Sequence, residues 1–314
     1  MVVIRLTSAL RHGNVKYMSR LIFAAVVSAV LTTAVAAQQV PGRDLLEFPL
    51  GTLAEPQALS SAMVAGLWNP ANSALSSPDR AAFGFAGLTT PQEQGVQLEM
   101  VGAEYRLSAP LTANLSFADA SVSDILRTET DPQTLGGSIP YGTSLLSAGL
   151  AGQRRTLRVG VAARYRWATL DADHSGVVTV DAGAVLDSVA HTPVRIAAST
   201  FLFSPERSRE DATYFAAADL PVLHRDSTLV LRGGYALSHT EGRGGEDYAF
   251  ATMSYRVFDA SAGLSQSTAF GNTARRVRLG AGLRYAGYAV AIGREDGAAG
   301  IGASYQFLFT RVIR

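Results

Sequence analysis

The sequence predicts an all-β transmembrane protein, an antiparallel up-and-down β-barrel of about 14 strands with a short N-terminal plug segment. Three observations predict this fold. The chain begins with a secretion signal, and no later apolar run reaches the roughly 20 residues that a spanning helix needs. Its clearest segments also alternate residue by residue between an apolar face and an arginine-bearing face. A strand that crosses a membrane between lipid and a polar lumen requires this alternation.

The first element of the chain is the secretion signal. Arg20 precedes the apolar stretch Leu21–Leu31, and small residues follow it. A positive region, an apolar region of this length and small residues before the cleavage point are the features of a signal peptide. We expect cleavage after Ala36 or Ala37, which assigns residues 1–37 to a leader and signal peptide.

Two alternatives remain open for this region. A membrane anchor would need a longer run than residues 21–37, which are rich in small side chains. Residues 1–17 make the leader long, so Met18 is an alternative start to Met1.

The second element, residues 38–77, lacks the period of two. Pro56 and Pro70 interrupt it, so we expect short helices and turns. An apolar, tryptophan-bearing segment left in the periplasm would expose hydrophobic surface, and packed inside a barrel it would block the lumen. The predicted plug residues are Trp68, Asn69, Pro70 and Ala71. In a soluble domain the same residues would form an ordinary N-terminal turn.

The third element, residues 78–314, carries the predicted strands. They lie near 81–88, 95–107, 110–120, 143–152, 156–169, 175–187, 193–203, 212–222, 227–238, 246–257, 258–267, 276–285, 286–294 and 299–309. Their number is even, as a single-chain bacterial barrel requires. Ser121–Gly142 is the predicted long loop, and Arg207–Asp211 and Thr240–Glu246 are predicted loop tips.

The alternation assigns a lipid face and a lumen face to the strands. In Leu157–Trp167 and Val277–Tyr285, every second residue is aliphatic or aromatic, and the alternate positions hold arginine, glycine and alanine. Leu229–Leu237 repeats the pattern, with Leu229, Leu231, Tyr235 and Leu237 against Arg232 and Gly234. Because side chains of a strand point to opposite faces in turn, the arginines share the lumen side.

Strand pairing gives one internal check of this assignment. If residues 171–174 form a four-residue turn, Arg164 lies opposite Asp181 on the lumen face. A carboxylate facing lipid would cost several kilocalories, whereas one that faces a lumen arginine is compensated. The predicted register therefore places both charges on the same side of the wall.

The lumen arginines are the candidate ligand-binding residues. Clustered guanidinium groups attract anions and bind carboxylates in a bidentate manner, so they could hold an anionic head group. The alternative is that they form salt bridges with acidic neighbours and hydrate the interior. The candidates are Arg158, Arg164, Arg166, Arg232, Arg278 and Arg284, with Asp181 as a carboxylate partner.

Nothing in the sequence indicates an enzyme, a cofactor or a metal site. The segment Asp171–Gly176 imitates the start of a calcium loop, but its twelfth position is Ala182 where a glutamate is needed. The chain has no cysteine, its five histidines lack metal-site spacing, and it holds no nucleophile elbow or phosphate loop. Asp124, Glu129 and Asp131 share one loop, where solvated charge is a simpler interpretation than a catalytic dyad. With 27 basic and 26 acidic residues, the chain shows no sign of nucleic-acid binding.

The order of motifs resembles the superfamily of FadL-type outer-membrane barrels. A signal peptide, the element Trp68–Ala71 and then Phe83–Phe85 follow one another. The PorV/PorQ-type branch is the most similar, because it also carries segments like Leu157–Val161 and Val180–Gly183. This resemblance implies a fourteen-stranded barrel with a luminal plug. It departs at the C-terminus, where Thr310–Arg314 follow the last aromatic residues.

Three functions are open at this point. The first is passage of small hydrophobic or amphipathic solutes through a plugged barrel in the bacterial outer membrane. The second is a barrel that transports nothing and acts as a partner of secretion-system proteins in protein secretion or surface attachment. The third is a soluble periplasmic β-protein. The expected partners are outer-membrane lipid, a hydrophobic small molecule and secretion components.

Overall fold

A computed structural model describes residues 40–60, 66–75, 79–91, 95–123, 125–128, 135–205, 210–225, 228–269, 272–297 and 302–314. Fourteen strands form a closed antiparallel barrel in which the first strand pairs with the last. The predicted signal peptide and the acidic residues Asp124, Glu129 and Asp131 lie outside the described residues.

Sixteen strands are described in chain order, and β4 and β5 form a separate two-stranded sheet. They are β1 (Ala81–Thr89), β2 (Val96–Ser108), β3 (Leu111–Val122), β4 (Leu126–Thr128), β5 (Leu135–Ser138), β6 (Tyr141–Arg154), β7 (Leu157–Leu170), β8 (Asp173–Leu186), β9 (Arg195–Phe201), β10 (Thr213–Arg225), β11 (Leu229–Thr240), β12 (Gly244–Tyr255), β13 (Phe258–Ala269), β14 (Asn272–Tyr285), β15 (Tyr288–Glu295) and β16 (Ser304–Ile313).

The fourteen-strand prediction is confirmed, since each predicted run overlaps one barrel strand. Two loop predictions need correction. The predicted long loop Ser121–Gly142 contains β4 and β5. The predicted tip Thr240–Glu246 is a shorter turn, because β11 ends at Thr240 and β12 already begins at Gly244.

The predicted register of β7 and β8 is wrong by two residues. Leu170 pairs with Asp173, so the turn has two residues, and Arg164 lies opposite Thr179. Asp171 adopts a left-handed φ of 56°, which allows this tight turn. A shift of two keeps every side chain on its predicted face, so Arg164 and Asp181 still meet inside the barrel.

The two ends of the barrel differ in their connections. The end that holds the start of β1 and the end of β16, here called the short-turn end, has turns as tight as residues 155–156, 256–257 and 286–287. The opposite end, here called the long-loop end, holds the connections 123–140, 202–212 and 296–303. Bacterial outer-membrane barrels place short turns in the periplasm and long loops outside.

The predicted faces of the strands are confirmed. On β7, Val159 and Val161 are 49% and 46% exposed, whereas Arg164 and Arg166 are buried. Leu279 is likewise exposed on β14 next to the buried Arg278. The eleven residues from Leu157 to Trp167 rise about 33 Å along the strand, or about 25 Å once tilted by about 40°. This height matches the apolar band of a membrane barrel.

The described N-terminal residues, 40–60 and 66–75, are here called the N-terminal segment. They contain two 3-10 helices, Arg43–Glu47 and Pro70–Ser73. The second begins where the sequence favours it, because Pro70 needs no hydrogen-bond donor in the first turn and the Asn69 side chain accepts from the Ala71 amide at 3.0 Å. Within the described residues, no helix is long and apolar enough to span a membrane.

Candidate lumen site

The N-terminal segment packs against the inner face of the barrel wall. Trp68 is 2% exposed, and its ring centroid lies 4.8 Å from that of Phe201 on β9 and 5.9 Å from that of Phe215 on β10. Its indole nitrogen donates to the Leu50 carbonyl at 2.9 Å, and its own carbonyl accepts from the Ser199 hydroxyl at 2.9 Å. The aromatic side chain is therefore fixed on both its apolar and its polar side.

Asn69, Pro70 and Ala71 lie against two glycines of the wall. A Cβ atom on Gly160 of β7 would overlap the Pro70 carbonyl, and one on Gly183 of β8 would overlap the Asn69 side chain. Glycine alone permits so close an approach, which is backbone to backbone at Gly160. The Asn69 amide also donates to the Ala58 carbonyl at 2.8 Å, which ties the element to the rest of the N-terminal segment.

Wall side chains satisfy the backbone of this irregular segment. Arg166 donates to the Val40 carbonyl at 2.8 Å and to the Pro41 carbonyl at 2.6 Å, and Arg164 donates to the Leu67 carbonyl. The Tyr248 hydroxyl donates to the Ala54 carbonyl at 2.6 Å. A buried backbone carbonyl needs a donor, and guanidinium groups offer five. The interior arginines thus hold non-helical backbone inside the barrel.

Each of the six candidate arginines also contacts a carboxylate. The pairs are Arg158 with Asp187, Arg164 with Asp181, Arg166 with Glu210, Arg232 with Asp219, Arg278 with Glu246 and Glu295, and Arg284 with Asp259. The partners differ, so these arginines do not form one cluster. The geometry matches the alternative in which they pair with acidic neighbours.

The pairs differ in burial. The Arg164 Nε and Asp181 Oδ2 atoms are 2.6 Å apart, and both side chains are 0% exposed. Arg284 and Asp259 lie at the short-turn mouth with 54% and 34% of their side chains exposed. Solvent screens the charges of the second pair but not those of the first. Only in the buried pair, therefore, does each charge strongly require its partner.

Several members of these networks were not anticipated from the sequence. The arginines Arg43, Arg195 and Arg276 join pairs centred on Glu210, Asp219 and Glu246. Asp219 and Arg195 are direct cross-strand neighbours, so the alternation of residues along the two strands could have indicated that they share the lumen face. No such indication exists in the sequence for Glu210, because it belongs to the predicted tip Arg207–Asp211, of which residues 207–209 are not described. It is only 3% exposed and turns inward, which corrects that prediction.

This environment raises the pKa values of two acidic side chains that lie outside the strands. Burial raises the pKa of the Glu210 carboxyl, and the positive charge of Arg166 opposes the shift. Burial also raises the pKa of Glu47, against the effects of Arg43 and Arg243.

A cavity of about 250 Å³ lies at the long-loop end of the lumen. Trp68, Phe201 and Phe215 give it an aromatic floor. Its rim is charged and contains Arg43, Asp44, Glu47, Arg243, Glu246, Arg276 and Arg278. Such a cavity suits a molecule with an apolar part and a polar end. Within the described residues, no three acidic or histidine side chains come together as a metal site would require.

No family model and no curated protein matches the chain. Solved structures share its fold. A TodX deltaS2S3 mutant monoaromatic hydrocarbon channel superposes with a TM-score of 0.55 at 9% identity, over 83% of this chain and 98% of that one. A Pseudomonas aeruginosa FadL homologue gives a TM-score of 0.49 at 11% identity, over 88% and 97%. The first likeness establishes an outer-membrane β-barrel fold.

Proposed function

We propose that this protein is a bacterial outer-membrane barrel that passes small hydrophobic or amphipathic solutes, with the N-terminal segment as its plug. The cavity at the long-loop end carries the proposal. Its aromatic floor is formed in part by Trp68 of the plug itself, so a solute that binds there contacts the segment that must move.

The outer surface supports a membrane location. Apolar side chains face outward along the strands, and an aromatic girdle borders them at each end. At the long-loop end the outward aromatic residues are Tyr165, Trp167, Tyr214 and Tyr305, and at the short-turn end they are Tyr105, Tyr255, Phe258, Tyr285 and Tyr288. The hydrocarbon channel with the same fold is by its name a channel for apolar molecules, which favours an apolar solute for this cavity.

The cavity can be tested with its own tryptophan. The chain has two tryptophans, so Trp167→Phe leaves Trp68 as the only indole. A brominated decanoic acid should quench Trp68 fluorescence saturably in vesicles, because bromine quenches only near contact and the Trp68 ring lines the cavity. Fluorescence is measured as a function of the concentration of the acid.

The matched control is Trp68→Phe, which leaves Trp167 facing lipid. Its quenching reports partition of the acid into the membrane and should rise without saturation. If Trp68 is never quenched, or only in proportion to Trp167, the cavity is not a solute site.

The second candidate function is that of a barrel that acts as a partner in protein secretion or surface attachment, as the resemblance to the PorV/PorQ-type branch suggests. One observation favours it. The plug is tied to the wall by buried hydrogen bonds from β7, β9 and β12, which would oppose its release. Conductance of a plugless barrel separates the two candidates, as argued below.

A further inference from the structure

The rim of the short-turn end carries arginines that have no acidic partner among the described residues. Among the described residues, the ion pairs at this rim join Arg158 to Asp187, Arg284 to Asp259 and Arg314 to Asp79. Other arginines of the rim contact no described carboxylate. They include Arg80, Arg154, Arg155, Arg225, Arg256 and Arg311. A set of unpaired guanidinium groups at one end of a barrel is a site for anions.

Outward tyrosines hold two of these arginines. The Arg311 Cζ atom lies 3.7 Å from the ring centroid of Tyr288, and the Arg256 Cζ atom lies 5.4 Å from that of Tyr255. These rings are 46% and 40% exposed on the lipid side. Cation–π contact keeps the guanidinium groups at the depth of the aromatic girdle, where a membrane places its head groups.

The long-loop end has a different outer border. Glu99 of β2 lies directly opposite Asp119 of β3, and both are exposed on the outer face. Asp247 of β12 also faces outward and accepts a hydrogen bond from Tyr235 at 2.8 Å. Arg275 and Arg294 are the exposed cations of this border; Arg275 donates to Gln266 and Arg294 pairs with Asp296. In the part of the chain that the structure describes, arginines without an acidic partner are thus concentrated at the short-turn end.

We propose that the short-turn rim binds the phosphate groups of anionic phospholipids in the leaflet that faces it. Because short turns face the periplasm in bacterial barrels, this is the inner leaflet. Arginine is weakly hydrated and bonds phosphate oxygens in a bidentate manner, and the neighbouring tyrosines place it at the interface. The lipid contact would fix the depth and orientation of the barrel. The proposal rests on the membrane location proposed above and not on the passage of solutes.

The test uses the mature protein in phosphatidylcholine vesicles and two spin-labelled probes, phosphatidylglycerol and phosphatidylcholine. Electron spin resonance measures the fraction of each probe that is immobilised by the barrel. The wild type should prefer phosphatidylglycerol by about two-fold or more, since each arginine near an anionic surface favours it. The variant Arg256→Gln, Arg311→Gln should lose most of this preference.

The matched control is Arg275→Gln, Arg294→Gln, which removes the same charge at the long-loop end and should keep the preference. Barrel folding is checked by mobility on unheated gels. A folded wild type without preference for phosphatidylglycerol would overturn the lipid proposal alone and leave solute passage untouched. Equal losses in both variants would also overturn it, because net charge would then explain the effect.

Discussion

At the scale of single residues, the interior of this barrel is organised by buried charge. Arg164 and Asp181 are both fully buried, and each has a second partner, the Leu67 carbonyl for the arginine and the Phe203 amide for the aspartate. Taking two charges out of water costs several kilocalories, which this geometry offsets only while both partners are present.

We therefore expect Asp181→Asn to lower the free energy of unfolding by about 3–5 kcal/mol, since Arg164 would keep a buried charge without a counterion. Urea unfolding of the barrel in vesicles, followed by tryptophan fluorescence, measures the change. Adding Arg164→Met should recover most of the loss. Asp259→Asn, which breaks the exposed pair with Arg284, should cost less than about 1 kcal/mol. Equal losses of free energy of unfolding at the buried and the exposed pair would show that burial does not determine the cost of breaking a pair.

At the scale of elements, the N-terminal segment is held by the shape of the wall as well as by hydrogen bonds. On two neighbouring strands, Gly160 makes room for the Pro70 backbone and Gly183 for the Asn69 side chain. The Pro70–Ser73 helix lies where the close approach occurs. A side chain at Gly160 would push against backbone atoms that cannot rotate away.

We expect Gly160→Ala to displace the plug and leave the barrel closed, at an overpacking cost of about 1–3 kcal/mol. In the Trp167→Phe background, Trp68 emission should shift to longer wavelength as the indole leaves its dry site. Gel mobility without heating should stay that of a folded barrel.

Gly87→Ala is the matched control, because a Cβ there would meet its nearest atom, on the Phe85 ring, at an ordinary 3.6 Å. It should change neither property. An unshifted emission for Gly160→Ala would mean that the plug does not depend on this contact.

The strands and their faces could be predicted because lipid outside and polar groups inside impose a period of two on every long strand. The lengths of the turns could not be predicted. The tight turns place Arg155, Asp171, Arg256 and Ala286 in the left-handed region, where asparagine or glycine would be the recognisable signal. The register of the β7–β8 hairpin was therefore predicted two residues away from the observed one. The faces of the strands were predicted correctly, but the cross-strand partner of Arg164 was not.

At the scale of the whole molecule, the barrel wall closes on itself without the plug. β1 pairs with β16 along its full length, and every barrel strand has a neighbour on each side. The residues of the predicted plug could be named from their composition, but their contacts could not. The partners of Trp68, for example, lie on β9 and β10, more than a hundred residues along the chain. Pairing of the lumen arginines was one of two interpretations that the sequence left open, and the fold brings each of them to a carboxylate.

We expect removal of residues 38–77 to leave a folded barrel, because the strand ladder does not depend on contacts inside the lumen. Without the plug, water should fill the space around Phe201 and Phe215, and conductance in planar bilayers should rise well above that of the intact protein. Gel mobility before and after heating verifies that the truncated chain is still a barrel. Liposome swelling then tests whether it admits solutes that the intact protein excludes. If the folded truncated barrel stays as closed as the intact one, the wall side chains fill the lumen themselves. The proposal that the barrel passes solutes would then be wrong, and the role of a binding partner in secretion would be the function to pursue.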